Sequence, residues 1–168
     1  MERTLIVFKP DALQRGIIGE IISRFERVGL KIVGTKMVQP DYDYYYHHYE
    51  AIGTLKTRKG EHILSQTVNS MLVGPVIAMV LEGIEAVELV RKMVGATEPK
   101  SALPGTIRGD YAHMSYAHSN KEELGIPNII HASADSGEAA KEIAHWFSDS
   151  ELFTYESVHE KFTQARRK

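Results

Sequence analysis

A chain of 168 residues with 43% hydrophobic and 25% charged residues can bury a real core and has the composition of an ordinary globular protein. Its net charge of −2 leaves no basic footprint for nucleic acid, and the absence of cysteine removes disulfides, thiol nucleophiles and cysteine metal sites. The longest apolar run, residues 76–81, is far too short for a bilayer, and no targeting pattern precedes the first strand. A cytoplasmic protein without membrane contact is expected.

Residues 4–8 read as a buried strand. Lys9-Pro10-Asp11 ends it, since Pro10 cannot continue an interior ladder, and this leaves Lys9 at a strand end. Ile17, Ile18, Ile21, Ile22, Phe25 and Val28 recur at helical spacing, with Gly29 as C-cap. Residues 30–38 form a second strand candidate. Residues 41–52 are tyrosine-rich and are expected to be a helix exposing tyrosine edges. His47 and His48 within them lack the spacing of a metal-ligand pair. Residues 54–61 are basic and loop-like, and residues 62–71 are helical.

Gly74-Pro75 breaks into a strand over residues 76–81, and Glu82-Gly83 turns. Ile84, Val87, Val90 and Val94 mark a helix that carries Arg91 in its last turns. Pro104-Gly105 favours a type II turn ahead of Arg108, and residues 113–127 are polar and irregular. Asn128-Ile129-Ile130 reads as a short buried strand, with His131 where it stops. Asp135 and Glu138 fit a capping box for a helix to about Phe147, burying Ala139, Ala140, Ile143, Ala144 and Phe147. No linker shows, so residues 1–168 are expected to be a single domain with a short C-terminal extension from about residue 155. Few strands alternating with helices favour α+β or α/β, and neither a Gly-rich dinucleotide turn nor a Walker lysine motif is present.

His131 is the residue the rest converges on. A histidine at a strand end beside a helix N-terminus faces a place that attracts anions, because free backbone N–H groups and the macrodipole point there. A lone histidine is more often a surface or core residue, so the argument rests on its company: Lys9, Arg91, Thr97, Arg108, Asn128, Ser133 and Glu142. Cations neutralise phosphate oxygens and an imidazole supplies an attacking nitrogen, which is what a triphosphate pocket needs.

Four stretches in order carry a family resemblance: Phe8-Lys9-Pro10-Asp11-Ala12-Leu13-Gln14-Arg15-Gly16, Gly74-Pro75-Val76-Ile77-Ala78-Met79-Val80, Pro104-Gly105-Thr106-Ile107-Arg108-Gly109-Asp110 and Asn128-Ile129-Ile130-His131-Ala132-Ser133. Together they resemble nucleoside diphosphate kinase. The resemblance implies a ferredoxin-like βαββαβ core, α+β, with a four-stranded antiparallel sheet. It implies Mg²⁺-dependent transfer of the γ-phosphoryl of a nucleoside triphosphate to a nucleoside diphosphate, by a ping-pong route through a phosphohistidine. It also implies a homo-hexamer or homo-tetramer. By motif position it casts His131 as nucleophile, Glu142 and Ser133 as the groups that orient it, and Lys9 and Asn128 as sugar ligands, with Lys9 also near the terminal phosphate. It likewise casts Tyr49 as the hydroxyl that supports Lys9, and Arg91, Thr97 and Arg108 as phosphate ligands.

Three departures accompany the resemblance. The stretch between Tyr49 and Gly74 is longer than in the family by about six residues, where loops tolerate insertion. The aromatic that stacks on the base is missing there, with His62 and Ile63 nearest. Ala134 stands where an outer-shell metal aspartate is usual, with Asp135 one residue along as a candidate in its place; no residue is expected to bind the metal directly. The stretch between Asp110 and Asn128 is extended by roughly ten residues and adjoins the nucleotide mouth. The rival readings are a nucleotide-binding regulatory module of the same fold without turnover, and a domain whose motifs only hold a core. Buried strands account for Phe8 and Ile129-Ile130 but not for Lys9, Arg108 and His131 together.

Overall fold

The computed structural model describes residues 1–163; the end of the expected C-terminal extension, residues 164–168, lies outside the described residues. Four strands, β1 (Glu2–Phe8), β2 (Lys31–Val38), β3 (Val76–Gly83) and β4 (Ile130–Ala132), form one antiparallel sheet in the order β2-β3-β1-β4. This is the expected α+β, ferredoxin-like sheet. From Leu5 to Phe8, β1 is unbroken apolar because both its faces are covered. On one face Ile6, Phe8, Met79 and Leu81 pack against Ile21 and Phe25 of α2 (Ile18–Arg27) and Val90 of α6 (Ala86–Val94). On the other, Leu5, Val7 and Val80 meet Tyr45, Leu64, Val68 and Trp146. Each such buried side chain contributes about 1.5–3 kcal/mol.

Several local expectations are corrected. Pro10 opens a short helix, α1 (Pro10–Gln14), rather than a turn, because its fixed φ suits a first helical position. The tyrosine-rich stretch is α3 (Tyr42–Tyr46) continued by a π-helix, His47–Ile52. Tyr42 and Tyr46 expose their edges as expected, but the other face is core: Tyr45, His48 and Tyr49 are all buried, because the sheet face opposite α2 needs large side chains. The basic stretch after it is helical, α4 (Leu55–Lys59), ahead of α5 (Glu61–Met71). Strand β3 runs on through Glu82-Gly83, since Glu82 pairs with Arg3 and Lys31 on the neighbouring strands. Ile84 is exposed and lies outside α6. The presumed loops contain α7 (Ile107–Tyr111) and α8 (Tyr116–Lys121). Gly105, with φ of 90°, meets the positive-φ demand of the turn expected there. In α9 (Ser136–Trp146) Asp135 caps as expected, accepting from the Glu138 N–H at 2.8 Å. Its buried side carries Ala139, Glu142 and Trp146, whereas Ala140 and Ala144 face solvent. A last turn, α10 (Glu160–Thr163), is tied to β2 by the Lys31–Glu160 ion pair at 2.9 Å.

Candidate active site

The site is built where β1 and β4 end. Asn128 and Ile129 are not part of the strand that the composition of residues 128–130 suggests. The Ile130 N–H donates to the Asn128 carbonyl at 2.8 Å, closing a γ-turn around Ile129, whose φ is +74°. That is the rare, strained form of the turn, and a β-branched residue adopts it only when its surroundings hold it there. Here the Ile129 N–H donates to Asp11 Oδ2 at 3.0 Å and its carbonyl accepts from the Lys9 N–H at 2.8 Å, while its side chain is fully buried. Strand β4 therefore starts at Ile130, and His131 sits inside it, paired with Val7, rather than beyond its end.

A continuous hydrogen-bonded line runs from β1 to the imidazole. The Leu5 N–H donates to Ser133 Oγ at 3.2 Å, Ser133 Oγ–H donates to Glu142 Oε2 at 2.6 Å, and Glu142 Oε1 lies 2.7 Å from His131 Nε2. Burial alone would raise the Glu142 pKa; the neighbouring imidazoles and the bonds from His131 and Ser133 prevail and hold it down at about 2. A carboxylate against Nε2 fixes the proton there and leaves the Nδ1 lone pair for chemistry. The His131 side chain keeps 18% of its surface exposed, so its ring is not walled off.

His48 was not a candidate on sequence, yet it lies in this line. The π-helix buries it, its ring crosses that of His131 edge-on at 4.6 Å, and its Nδ1 accepts the Trp146 Nε1–H at 3.1 Å. Burial, reinforced by His131, pushes its pKa down to about 3, so it is neutral. Potential ligand atoms of His48, His131 and Glu142 fall within 4.8 Å of one another, but these side chains are already engaged in hydrogen bonds. The sequence signal that could have found His48 is its offset of three from Tyr45, the spacing of one buried helix face.

Lys9, Arg91 and Arg108 line the same cavity. Lys9 is 8% exposed; burial, with Arg108 adding and Asp11 opposing, lowers its pKa to about 8. Arg108 is aimed by three carbonyls: Nε to Asn128 at 3.2 Å, Nη1 to Gly95 at 3.0 Å and Nη2 to Ile130 at 2.6 Å. Two of its five N–H donors stay free for a ligand. Gly95 is needed where it stands, since its φ is +85° and a Cβ there would meet Thr106 Oγ1 at 2.5 Å. Arg91 leaves the last turn of α6, with Nη1 3.5 Å from the Ser133 carbonyl. The Asn128 amide donates to the Thr97 carbonyl at 2.8 Å, while Asn128 Oδ1 and the Tyr49 hydroxyl are buried without partners among the described residues. The expected Tyr49–Lys9 hydrogen bond is thus not made. Lys9, Tyr49, Arg91, Thr97, Arg108, Asn128 and His131 nevertheless line one cavity of about 780 Å³, with Glu142.

The cavity's carboxylates do not form a metal cage. Glu142 is engaged by His131 and Ser133, and Glu138 accepts from the Ala134 N–H at 3.1 Å. Asp135 caps α9 and lines a smaller adjoining cavity with Arg91. Such a donor set suits a hard cation carried in on phosphate oxygens.

Comparison with known proteins agrees with this geometry. Residues 2–152 match the family model described as nucleoside diphosphate kinase. The chain is 44% identical over 155 residues to the nucleoside diphosphate kinase of Borreliella burgdorferi, covering 92% of each, and 48% identical over 155 residues to that of Pyrococcus horikoshii, covering 92% and 90%. Its structure resembles a transition-state mimic of the Borrelia burgdorferi enzyme with bound vanadate and ADP, with a TM-score of 0.91 at 43% identity over 95% and 94% of the two chains. A halophilic enzyme from Halobacterium salinarum in complex with CDP matches with a TM-score of 0.82 at 37% identity, over 98% and 99%. Among the described residues, no helix is long and apolar enough to cross a membrane.

Proposed function

The chain belongs to the nucleoside diphosphate kinase family and transfers the γ-phosphoryl of a nucleoside triphosphate to a nucleoside diphosphate; on that premise we propose which of its residues do the work. His131 Nδ1 attacks the γ-phosphorus in line. The N–P bond forms as the bridging P–O bond breaks, and the nucleoside diphosphate leaves with the electron pair. A second nucleoside diphosphate takes the phosphoryl group back from the ring. Glu142, held by Ser133, keeps the Nε2 proton in place and stabilises the ring as it gains positive charge. Arg91, Arg108, Thr97 and Lys9 take the phosphate oxygens, whose charge a loose transition state spreads. Asn128 Oδ1 and the Tyr49 hydroxyl, both buried and without a partner among the described residues, suit the sugar hydroxyls at the same end of the nucleotide. The divalent cation, which we take to be Mg²⁺, would enter on the substrate's own phosphates with Asp135 at most in its outer shell, and would supply charge neutralisation to the transferring group.

The observation that carries this reading is the 2.7 Å bond from Glu142 to Nε2, which leaves Nδ1 free at the cavity. Incubation with γ-labelled ATP and Mg²⁺ is expected to give an acid-labile, alkali-stable label that His131→Ala abolishes. Labelling that survives the substitution assigns the nucleophile elsewhere. A regulatory module that only binds nucleotide would take no label at all.

We further infer a single catalytic domain over residues 1–168 with an extension from about residue 155, acting as a cytoplasmic homo-hexamer or homo-tetramer. The cysteine-free composition is in keeping with that compartment. Exposed Met37 on the outer strand β2, with exposed Phe153 beside it, supports assembly there.

A further inference from the structure

The cavity extends past the phosphate end, and there its lining changes character. Leu55, Ile63 and Ile126 are apolar, and four ring-bearing side chains lie along the whole wall: His48, Tyr49, Tyr116 and His131. Three of these are committed, since His48 and Tyr49 are buried and pack on His131 at 4.6 Å and 6.3 Å between ring centres. Tyr116 is different. The residue is 44% exposed, and it belongs to the extended stretch between Asp110 and Asn128.

That stretch is clamped at both ends. On the phosphate side, the Glu98 carboxylate accepts the Tyr116 N–H at 2.8 Å and the Ser101 hydroxyl at 2.5 Å, and the Lys100 N–H donates to the Met114 carbonyl at 2.9 Å. Ser115 caps α8 through the His118 N–H at 3.2 Å. Beyond α8, the buried Ser119 hydroxyl donates to the Leu124 carbonyl at 2.8 Å. At Gly125 the backbone runs so close to α5 that a Cβ would meet the Gln66 carbonyl at 2.5 Å and Ser70 Oγ at 2.7 Å. So the backbone carrying Tyr116 is fixed to the loop that holds Thr97, and the far end of the same stretch is packed on the helix that holds Ile63. An amphipathic ring presented this rigidly at the mouth of a cavity has two uses: its face stacks, and its hydroxyl stays wet.

We propose that Tyr116 is the platform on which the nucleobase lies, with Ile63 and Ile126 completing an apolar slot. The stretch 113–127 then makes this chain's base subsite from its own extension, with no aromatic contributed by α5. The ligand class is the planar heterocycle of a nucleoside di- or triphosphate. Every base offers a π-face, so the platform holds all of them and favours purines by their larger area. This rests on the phosphotransfer reading for its substrate but not for its measurement, which is binding.

The test compares the full-length protein with Tyr116→Ala and Tyr116→Phe, using GDP, CDP and ribose 5-diphosphate, which lacks a base. An exposed ring leaves no core cavity when removed, and Tyr116→Phe controls for loss of the hydroxyl. Equilibrium dialysis is expected to show GDP binding weakened about tenfold by Tyr116→Ala. CDP should weaken less, ribose 5-diphosphate should bind as before, and Tyr116→Phe should bind like the parent. In turnover, the Ala variant should raise KM for GDP and leave kcat within about twofold. Equal losses for GDP and ribose 5-diphosphate would place Tyr116 with the phosphates, through Arg108, and overturn the proposal, as would an unchanged GDP affinity or a Phe variant as weak as Ala. A parent protein that binds GDP but takes no phosphoryl group would instead refute the phosphotransfer reading, and the dialysis comparison would still decide the role of Tyr116.

Discussion

Glu142 grips His131 with one carboxylate oxygen and Ser133 with the other, at 2.7 Å and 2.6 Å, from a position that is 1% exposed. The pair therefore belongs to the rigid sheet–helix junction rather than to a mobile loop. Exchange of Glu142 for Gln keeps the shape and removes the charge. An uncharged amide no longer stabilises the ring as it takes the phosphoryl group, and kcat is expected to fall roughly 100-fold. Rapid-quench measurement of phosphohistidine formation reads this directly. The acid limb of stability should change too. A carboxylate held down at about 2 from an ordinary 4.5 contributes stability that is complete above 4.5 and lost as pH falls towards 2. The gap in urea midpoint between parent and Glu142→Gln should hold steady above pH 4.5 and shift in the variant's favour below it.

Lys9 sets function against stability. It is buried beside Arg108, and its pKa of about 8 reports the strain of keeping a charge there. A lysine with a lowered folded pKa destabilises the fold most where it must be charged, below about 8, and that cost fades as pH rises towards 10.5. Lys9→Met should therefore raise Tm at pH 7, by an amount worth up to about 3 kcal/mol, while weakening nucleotide binding severely. In the parent, kcat/KM for a nucleoside diphosphate should decline as pH rises through about 8, the free-enzyme pKa of the ammonium. A flat profile across that range, or a variant less stable than the parent at pH 7, would show that Lys9 is not held as a strained cation.

Asp11 is a residue whose part only the folded chain reveals. Its carboxylate takes the Ile129 N–H at 3.0 Å and so pins the γ-turn that precedes His131. Asp11→Ala leaves that N–H without a partner in a buried turn, a loss of about 1–3 kcal/mol. Because Arg108 and Asn128 are both tied to the same turn, activity should fall more than tenfold, with Asp11→Asn recovering most of it through its amide oxygen. An Asn variant no better than Ala would mean that the charge beside Lys9, rather than the turn, is what matters.

What the chain disclosed beforehand follows from how far each signal reaches. Strand β1 and helix α2 were legible because burial on one side writes a period into neighbouring residues, and the motifs around Lys9, Arg108 and His131 were legible as local strings. The γ-turn was not: Asn128-Ile129-Ile130 has the composition of a strand, and its geometry comes from Asp11, 118 positions away. The tyrosine stretch misled for a similar reason. Which face of α3 and its π-helical continuation is buried depends on the sheet surface and on Trp146, whose indole N–H reaches His48 across 98 positions. Polar hydroxyls on the rings hid a core role that their bulk fulfils. Helix α8 was hidden too, since its six residues are short of any apolar period and it is held by Glu98 and Ser115 instead.

Ile63 tests the other wall of the base slot. It lines the cavity from α5, where the family resemblance leads one to expect an aromatic ring, and it is partly buried. A branched aliphatic side chain gives a base dispersion contact but no π-face. Placing Phe at this position adds a second ring to the one Tyr116 offers, at a site open enough to take its extra volume. A base–aromatic contact is worth about 1–3 kcal/mol, so Ile63→Phe should lower KM for GDP by about fivefold or more and leave kcat near its original value. The double variant Ile63→Phe with Tyr116→Ala separates the two walls. If each ring contacts its own face of the base, their effects on binding are nearly additive; if the new ring merely displaces Tyr116, the double variant matches Ile63→Phe alone. An Ile63→Phe protein whose KM is unchanged or raised for every nucleotide would show that the base does not reach α5, and the slot would then be formed by the 113–127 stretch alone.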